Sequence, residues 1–149
     1  MKKDFDGWNK NKKRIHERDT AGVYFYEREI WWCSLGANVG FEQDGTGETF
    51  ERPIVIIKKY NPQVFLAVPL STSAKRGRYY ASLGFVDGRD AVAILSQLRL
   101  LDCKRLTNRM GILNKSSFGE LIEKIVKANF RGSKSSPPPF GGGKPRGRL

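Results

Sequence analysis

The sequence is poor in the residues that build metal and thiol sites. It contains two cysteines, Cys33 and Cys103, and one histidine, His16, in 149 residues. The cysteines form neither a CxxC pair nor a disulfide framework, so we expect no zinc site and no structural disulfide. Each cysteine lies in an apolar context, which predicts a small core or half-buried side chain. A cysteine nucleophile would need a base, and the lone histidine lies in the N-terminal arm.

Long apolar runs are also lacking. No segment approaches the ~18 consecutive apolar residues of a membrane span, and the charged N-terminus lacks the apolar stretch of a signal peptide. We therefore expect a cytoplasmic protein without membrane contact.

Acidic residues are scarce relative to basic ones. The chain has 27 Lys and Arg against 15 Asp and Glu, a net charge of +12. Residues 131–149 carry five of the basic residues and no acidic one. This excess favours a polyanionic partner, because neutralising phosphates releases counterions.

Composition divides the chain into three segments. Residues 1–27 form a charged arm, and a helix is predicted over 4–19 with Phe5, Trp8 and Ile15 near one face. A disordered basic arm is the alternative. Residues 131–149 are dominated by Pro, Gly and Ser, which predicts a disordered basic tail. A single folded domain is expected between them, over residues 28–130.

Short apolar runs predict that this domain is mainly β. The predicted strands cover residues 29–35, 54–59, 64–70, 78–86, 91–95 and 98–101. Asp87-Gly88 predicts a hairpin turn, and Asp102 a turn of helix through 104–106. A C-terminal helix is predicted to follow a capping box at Ser117 and Glu120 and to end near Asn129. The pattern favours an α+β fold in which a small barrel or sandwich packs against that helix.

The acidic residues are scattered and form no pair suited to a two-metal site. The glycines at 45–47 and 141–143 are more typical of flexible turns than of a phosphate-binding loop. If the partner is RNA that is cut, its own 2′-hydroxyl is the simplest nucleophile. The protein must then supply a charge stabiliser, a proton acceptor and positioning hydroxyls.

One Gly-rich loop brings an acid, an amide and an arginine towards the mouth of the predicted sheet. Arg52 opens an apolar strand, and its planar guanidinium can donate two hydrogen bonds to a phosphate. A surface ion pair with Glu48 or Glu51 is the alternative. Glu42 can take the proton of a 2′-hydroxyl, or it can simply pair with Arg52.

Two further loops offer polar groups. Ser71, Thr72 and Ser73 follow an apolar strand, where their hydroxyls can hold a phosphate or form a plain loop. Gln97 follows another strand, where it can contact bases or satisfy buried backbone groups.

Five motifs occur in order over about residues 28–130. They are EIWWCSLG, GFEQ, ERPIVIIKK, VPLSTS and AVAILSQLRLLDCKRL. Together they resemble the MazF/PemK toxins of bacterial toxin–antitoxin pairs. The resemblance implies a small PemK/CcdB-like β-barrel with a C-terminal helix, a homodimer, and inhibition by a cognate acidic antitoxin. It also implies a metal-independent, cofactor-free endoribonuclease, an mRNA interferase, that cuts single-stranded mRNA at short sequences. The implied products are a 2′,3′-cyclic phosphate and a 5′-hydroxyl.

The resemblance also implies roles for individual residues. Arg52 matches the family's catalytic arginine, and Ser71 matches the position of its catalytic threonine. The predicted catalytic residues are Arg52, Ser71, Thr72 and Glu42. The predicted RNA-binding residues are Gln43, Ser73, Lys75, Arg76 and Gln97. No metal ligand is predicted, and the loop between Gln43 and Arg52 is longer than is usual in the family.

Two other functions fit the same sequence. A non-catalytic nucleic-acid-binding barrel would need only the basic surface and aromatic side chains such as Tyr79 and Tyr80. A gyrase poison of the CcdB type would act through protein–protein contact.

Overall fold

The computed structural model describes residues 2–131, in which the chain forms two α-helices, two short 3-10 helices (Leu95–Gln97 and Cys103–Arg105) and seven strands. The α-helices are α1 (Phe5–His16) and α2 (Lys115–Asn129). The strands are β1 (Glu29–Ser34), β2 (Glu51–Lys59), β3 (Val64–Ser71), β4 (Tyr80–Val86), β5 (Arg89–Ile94), β6 (Arg99–Asp102) and β7 (Leu106–Ile112). Neither helix is long and apolar enough to cross a membrane. The predicted tail lies outside the described residues, apart from Arg131.

All the strands of this part of the chain join one antiparallel sheet in the order β4-β5-β3-β2-β1-β7, with β6 added beside β3. Strand β3 pairs with β6 along Val64–Ala67 and with β5 at Leu70 and Ser71. Because β3 exchanges partners along its length, the sheet curls into a half-barrel. The mainly β, α+β prediction with a C-terminal helix and an N-terminal helical arm is confirmed.

Strand β2 is apolar on both faces because both faces are covered. Ile54 and Ile56 belong to one core cluster, which includes Phe25, Phe65 and Leu106. Val55 and Ile57 belong to the other, where α2 contributes Leu121 and Ile125. The two-sided burial explains why the run IVII does not alternate between apolar and polar residues.

Helix α1 packs against the loop that follows β1. Asp4 caps it by accepting a hydrogen bond of 2.9 Å from the Gly7 amide. Trp8 and Ile15 are buried, whereas Phe5, near the same face, is 50% exposed. The Trp8 ring lies over Gly36, which has a φ of +87° and would place a Cβ 2.2 Å from that ring. Glycine at this position therefore permits the arm to dock.

The structure departs from the sequence-based expectations at two places. Strand β7 was not predicted, because LTNRMGI mixes polar and apolar residues without alternation. Helix α2 begins before the proposed capping box, because the Asn114 side chain caps it by accepting a bond of 2.8 Å from the Ser117 amide. The expected burial of Cys33 and Cys103 is confirmed. Burial raises the pKa of the Cys33 thiol to about 12.

Candidate active site

Arg52 is anchored by main-chain oxygens at the start of β2. Its Nε donates to the carbonyl oxygen of Asp44 at 2.8 Å, and its Nη1 donates to that of Leu70 at 3.1 Å. The three ion pairs among residues 2–131 do not include Arg52. Arg52 therefore does not form the surface ion pair with Glu48 or Glu51 that was the alternative. Burial lowers the pKa of the guanidinium, and the Asp44 carboxylate opposes that shift. The side chain is thus fixed in orientation while staying partly open.

The predicted hydroxyls lie at the end of β3, the strand that holds Arg52 through Leu70. Ser71 is the last residue of β3 and is 8% exposed. Its Oγ accepts a hydrogen bond of 3.1 Å from the Ser73 amide, which orders the start of the following loop. Thr72 is exposed. Pairing of β2 with β3 therefore explains why residues distant in sequence converge.

Arg52, Ser71 and Thr72 line one cleft of about 450 Å³. Its other lining residues are Trp32, Thr46, Pro53, Leu70, Val86, Asp87, Arg89, Ala91 and Met110. The lining residues include two arginines, three hydroxyl residues, an aspartate and a tryptophan. Such a set can bind a phosphate, stack a base and accept a proton.

The lining residues that sequence reasoning missed include Trp32, Thr46, Asp87, Arg89 and Met110. Asp87 was recognised only as part of a turn, and it has a φ of +51° there. Arg89 begins β5, and the pairing of β5 with β3 brings this hairpin to the cleft. The sequence offered one clue to this site, because an acidic and a basic residue, Asp87 and Arg89, lie close together at the β4–β5 turn.

Three predicted site residues form the Gly-rich loop and its support rather than the cleft lining. Glu42 Oε1 accepts a bond of 2.9 Å from the Val39 amide. The Gln97 side chain accepts from the Gln43 amide at 3.1 Å and donates to the Phe41 carbonyl oxygen at 3.2 Å. Gln97 therefore braces the loop through its backbone groups, while contact with bases stays a prediction.

The remaining predicted RNA-binding residues lie in the exposed β3–β4 loop. Ser73, Lys75 and Arg76 are exposed and do not line the cleft. The same loop continues to a second cavity of about 440 Å³ that is rich in cations. It is lined by Gly77, Arg78, Tyr80, Leu95, Lys124, Lys127, Ala128 and Arg131. The loop thus joins the Arg52 cleft to a basic hollow beside α2.

Metal ligands and histidine do not gather at the cleft. Within residues 2–131, no three His, Cys, Asp or Glu side chains are grouped as a metal ion would require. His16 lines a separate hollow with Trp8 and Lys104.

Known structures share this fold. MazF from Deinococcus radiodurans superposes with a TM-score of 0.55 at 18% identity, covering 70% of this chain and 96% of that one. The Mycobacterium tuberculosis toxin MazF-mt6 gives a TM-score of 0.53 at 16% identity, covering 68% and 95%. A mycobacterial endoribonuclease in complex with its cognate antitoxin gives 0.53 at 14% identity, covering 70% and 94%.

Comparison of the sequence with protein-family models identifies the family. No curated protein matches the chain. Residues 26–128 match the model of the PemK-like, MazF-like toxins of type II toxin–antitoxin systems. This match spans more than half of the sequence and contains every residue of the Arg52 cleft. The chain therefore belongs to the PemK/MazF-like toxin family.

Proposed function

We propose that the chain is a toxin that acts in the cytoplasm as a metal-independent endoribonuclease on single-stranded mRNA, stopping translation and growth. The main observation behind this proposal is that Arg52, Ser71 and Thr72 line the same cleft, and that the chain belongs to this toxin family. In this proposal, residues 28–130 are the toxin domain, flanked by the arm and the basic tail.

The proposed reaction needs no protein nucleophile. The RNA 2′-oxygen attacks the adjacent phosphorus and loses its proton, while the bond to the 5′-oxygen breaks and that oxygen gains a proton. A 2′,3′-cyclic phosphate and a 5′-hydroxyl result. Arg52 stabilises the charge that develops on the phosphoryl oxygens. Two of its five N–H donors are held by carbonyl oxygens, and the other three have no acceptor among the described residues.

Ser71 and Thr72 position the scissile phosphate in the proposed complex. Ser71 is nearly buried, and its Oγ already accepts one bond, so its hydroxyl hydrogen can be donated to a phosphoryl oxygen. Thr72 is more accessible and lies one residue further along the same wall of the cleft.

Asp87 is the proposed proton acceptor, in place of Glu42. Asp87 is an acidic residue of the cleft lining, whereas Glu42 binds the Val39 amide within its own loop. We expect Asp87→Asn to slow cleavage about 100-fold or more, since removing a general base typically has that effect. Asp90→Asn is the matched control, because Asp90 is exposed, nearby and absent from the cleft lining. Equal cleavage rates for the two variants would exclude Asp87.

A second copy and an acidic antitoxin are the proposed protein partners. Among the described strands, β7 pairs with β1 alone, and its Met110 lines the cleft. A homodimer formed along this edge would therefore extend the cleft wall. An acidic antitoxin segment laid near Arg52 and residues 71–73 would occupy the phosphate sites and block RNA. Coexpression with the neighbouring open reading frame tests this: a neighbour that neither binds the toxin nor suppresses its toxicity would contradict it.

Incubation of a long RNA with the purified protein in excess EDTA tests the main proposal. Discrete fragments ending in a 2′,3′-cyclic phosphate are expected, together with no cleavage at a 2′-deoxy sugar. Binding without fragments would favour a non-catalytic barrel. Inhibited DNA supercoiling with intact RNA would favour a gyrase poison. Strict Mg²⁺ dependence would contradict the mechanism.

A further inference from the structure

The ammonium group of Lys3 is enclosed by the loop that follows β1. The Lys3 side chain is only 10% exposed. Its Nζ donates to the carbonyl oxygens of Asn38 at 2.6 Å and Gly40 at 2.7 Å. It also lies 3.0 Å from Oδ2 of Asp44. Lysine side chains are rarely this enclosed on a protein surface, so the contacts define a specific clamp.

The same loop fixes Arg52 through Asp44. The Asp44 carboxylate accepts a bond of 2.7 Å from the Asn38 amide, which closes residues 38–44 into a compact loop. The Asp44 carbonyl oxygen accepts the 2.8 Å bond from Arg52 Nε. One residue thus binds the arm with its side chain and the candidate catalytic arginine with its main chain.

The arm that carries Lys3 is itself anchored to the domain by several contacts. Trp8 is buried against Phe50, with ring centroids 5.6 Å apart. The Asn11 side chain donates to the Thr49 carbonyl oxygen at 3.3 Å, and Lys104 Nζ donates to that of His16 at 2.8 Å. The family match begins at residue 26, so this support comes from outside the shared toxin domain.

We propose that Lys3 is a positioning residue that couples docking of the N-terminal arm to the orientation of Arg52. The expected effect of Lys3 on cleavage rests on the proposed function. Without the ammonium group, two carbonyl oxygens and the Asp44 carboxylate lose their shared donor. The loop opens, and the main-chain acceptor of Arg52 Nε moves with it. Displacement of a catalytic group by about 1 Å can slow a reaction about 100-fold.

The test compares Lys3→Met, which keeps most of the aliphatic stem, with Lys2→Met, an adjacent exposed lysine and matched control. Without RNA, hydrogen exchange of the Asn38 amide should rise about 10-fold in Lys3→Met only. Arg52 should also react faster with phenylglyoxal, measured by mass spectrometry. With RNA, kcat should fall about 10-fold while KM changes little, because the lost orientation matters most in the transition state. Lys3→Arg should restore part of the rate.

The coupling through Asp44 has its own test. Asp44→Asn removes the charge but keeps the carbonyl oxygen that binds Arg52. Adding Lys3→Met to Asp44→Asn should therefore lower kcat less than it does in the wild type. Full additivity would contradict coupling through Asp44.

The outcomes separate this inference from the proposed function. Unchanged exchange and Arg52 reactivity in Lys3→Met would overturn the clamp, whatever happens to cleavage. Faster exchange with an unchanged kcat would overturn the positioning role. If the wild type cuts no RNA, the proposed function fails, and exchange and Arg52 reactivity still decide whether Lys3 fixes the loop.

Discussion

At the scale of single residues, Arg52 illustrates how main-chain acceptors can prepare a cation for a ligand. Carbonyl oxygens of Asp44 and Leu70 hold its guanidinium without neutralising it. An ion pair with a carboxylate would have competed with a phosphate for the same donors. The arrangement leaves the positive charge available to a ligand in the cleft.

Arg52→Ala should reduce single-turnover RNA cleavage about 100- to 1000-fold, because it removes a donor to charge that develops in the transition state. Arg52→Lys should recover little, since an ammonium group cannot replace two fixed hydrogen bonds. Arg14→Ala, on the exposed face of α1, is the charge-matched control. Near-wild-type cleavage by a folded Arg52→Ala would remove Arg52 from the mechanism.

The buried thiol of Cys33 predicts a loss of stability in alkali. Its pKa is about 12 in the folded protein against 9.0 for the free group. Between these values the unfolded chain releases a proton that the folded chain keeps. The free energy of unfolding therefore falls as pH rises above about 9, by at most roughly 1.4 kcal/mol per pH unit.

Urea unfolding from pH 8 to 10.5 under reducing conditions measures this effect. Cys33→Ala should show a shallower decline than the wild type, because its side chain does not titrate. Parallel pH profiles for the two proteins would show that Cys33 does not contribute.

At the scale of elements, docking of α1 depends on glycine at position 36, because any side chain there would meet the Trp8 ring. Gly36→Ala would combine a φ of +87° with a Cβ placed 2.2 Å from the Trp8 ring. Gly88→Ala is the matched control, since Gly88 has a φ of +76° but open space around it and lies in the β4–β5 turn, outside the arm and its clamp. The control should cost about 1–2 kcal/mol for the left-handed backbone alone.

Gly36→Ala should cost about 1–3 kcal/mol more than Gly88→Ala, because the Trp8 ring must move. Urea unfolding followed by circular dichroism gives the stabilities. Limited proteolysis should cut the arm faster in Gly36→Ala. If both variants behave alike, the Trp8 contact contributes little to docking.

The sequence predicted the elements whose residue pattern is determined locally. The apolar runs of β2 and β3 are long enough to identify, and Arg52 and Ser71 could be placed at strand ends. Strand β7 depends on pairing with β1 instead of on its own alternation, so its sequence did not reveal it. Asp87, Arg89 and Trp32 reach the cleft only through the curl of the sheet. The direction of Glu42 depends on a loop contact with Val39, which spacing does not determine.

At the scale of the whole molecule, basic residues form a path from the cleft to α2. Lys75 and Arg76 lie in the loop between the Arg52 cleft and the hollow lined by Arg78, Lys124 and Lys127. Part of this charge also stabilises the C-terminal end of the helix dipole. Several cations from separate elements facing one hollow nevertheless favour an extended polyanion.

Lys124→Gln/Lys127→Gln should weaken RNA binding to a similar degree for all sequences. The slope of log Kd against log salt concentration should fall by about one for each phosphate that the protein no longer neutralises. Lys10→Gln/Lys13→Gln is the matched control, with the same charge change and spacing on α1. Equal salt slopes for the two double variants would show that RNA does not contact the hollow beside α2. An altered cleavage sequence would show that the hollow reads bases.

The indole of Trp32 has a practical consequence. Because it lines the cleft, its emission should respond to whatever enters there. Trp8 is instead buried between α1 and the loop that follows β1, and Trp31 packs against the core cluster of Phe25 and Phe65. A Trp8→Phe/Trp31→Phe protein would carry one native fluorophore at the cleft. Quenching titrations could then report occupancy by RNA, antitoxin or a small anion without any attached dye.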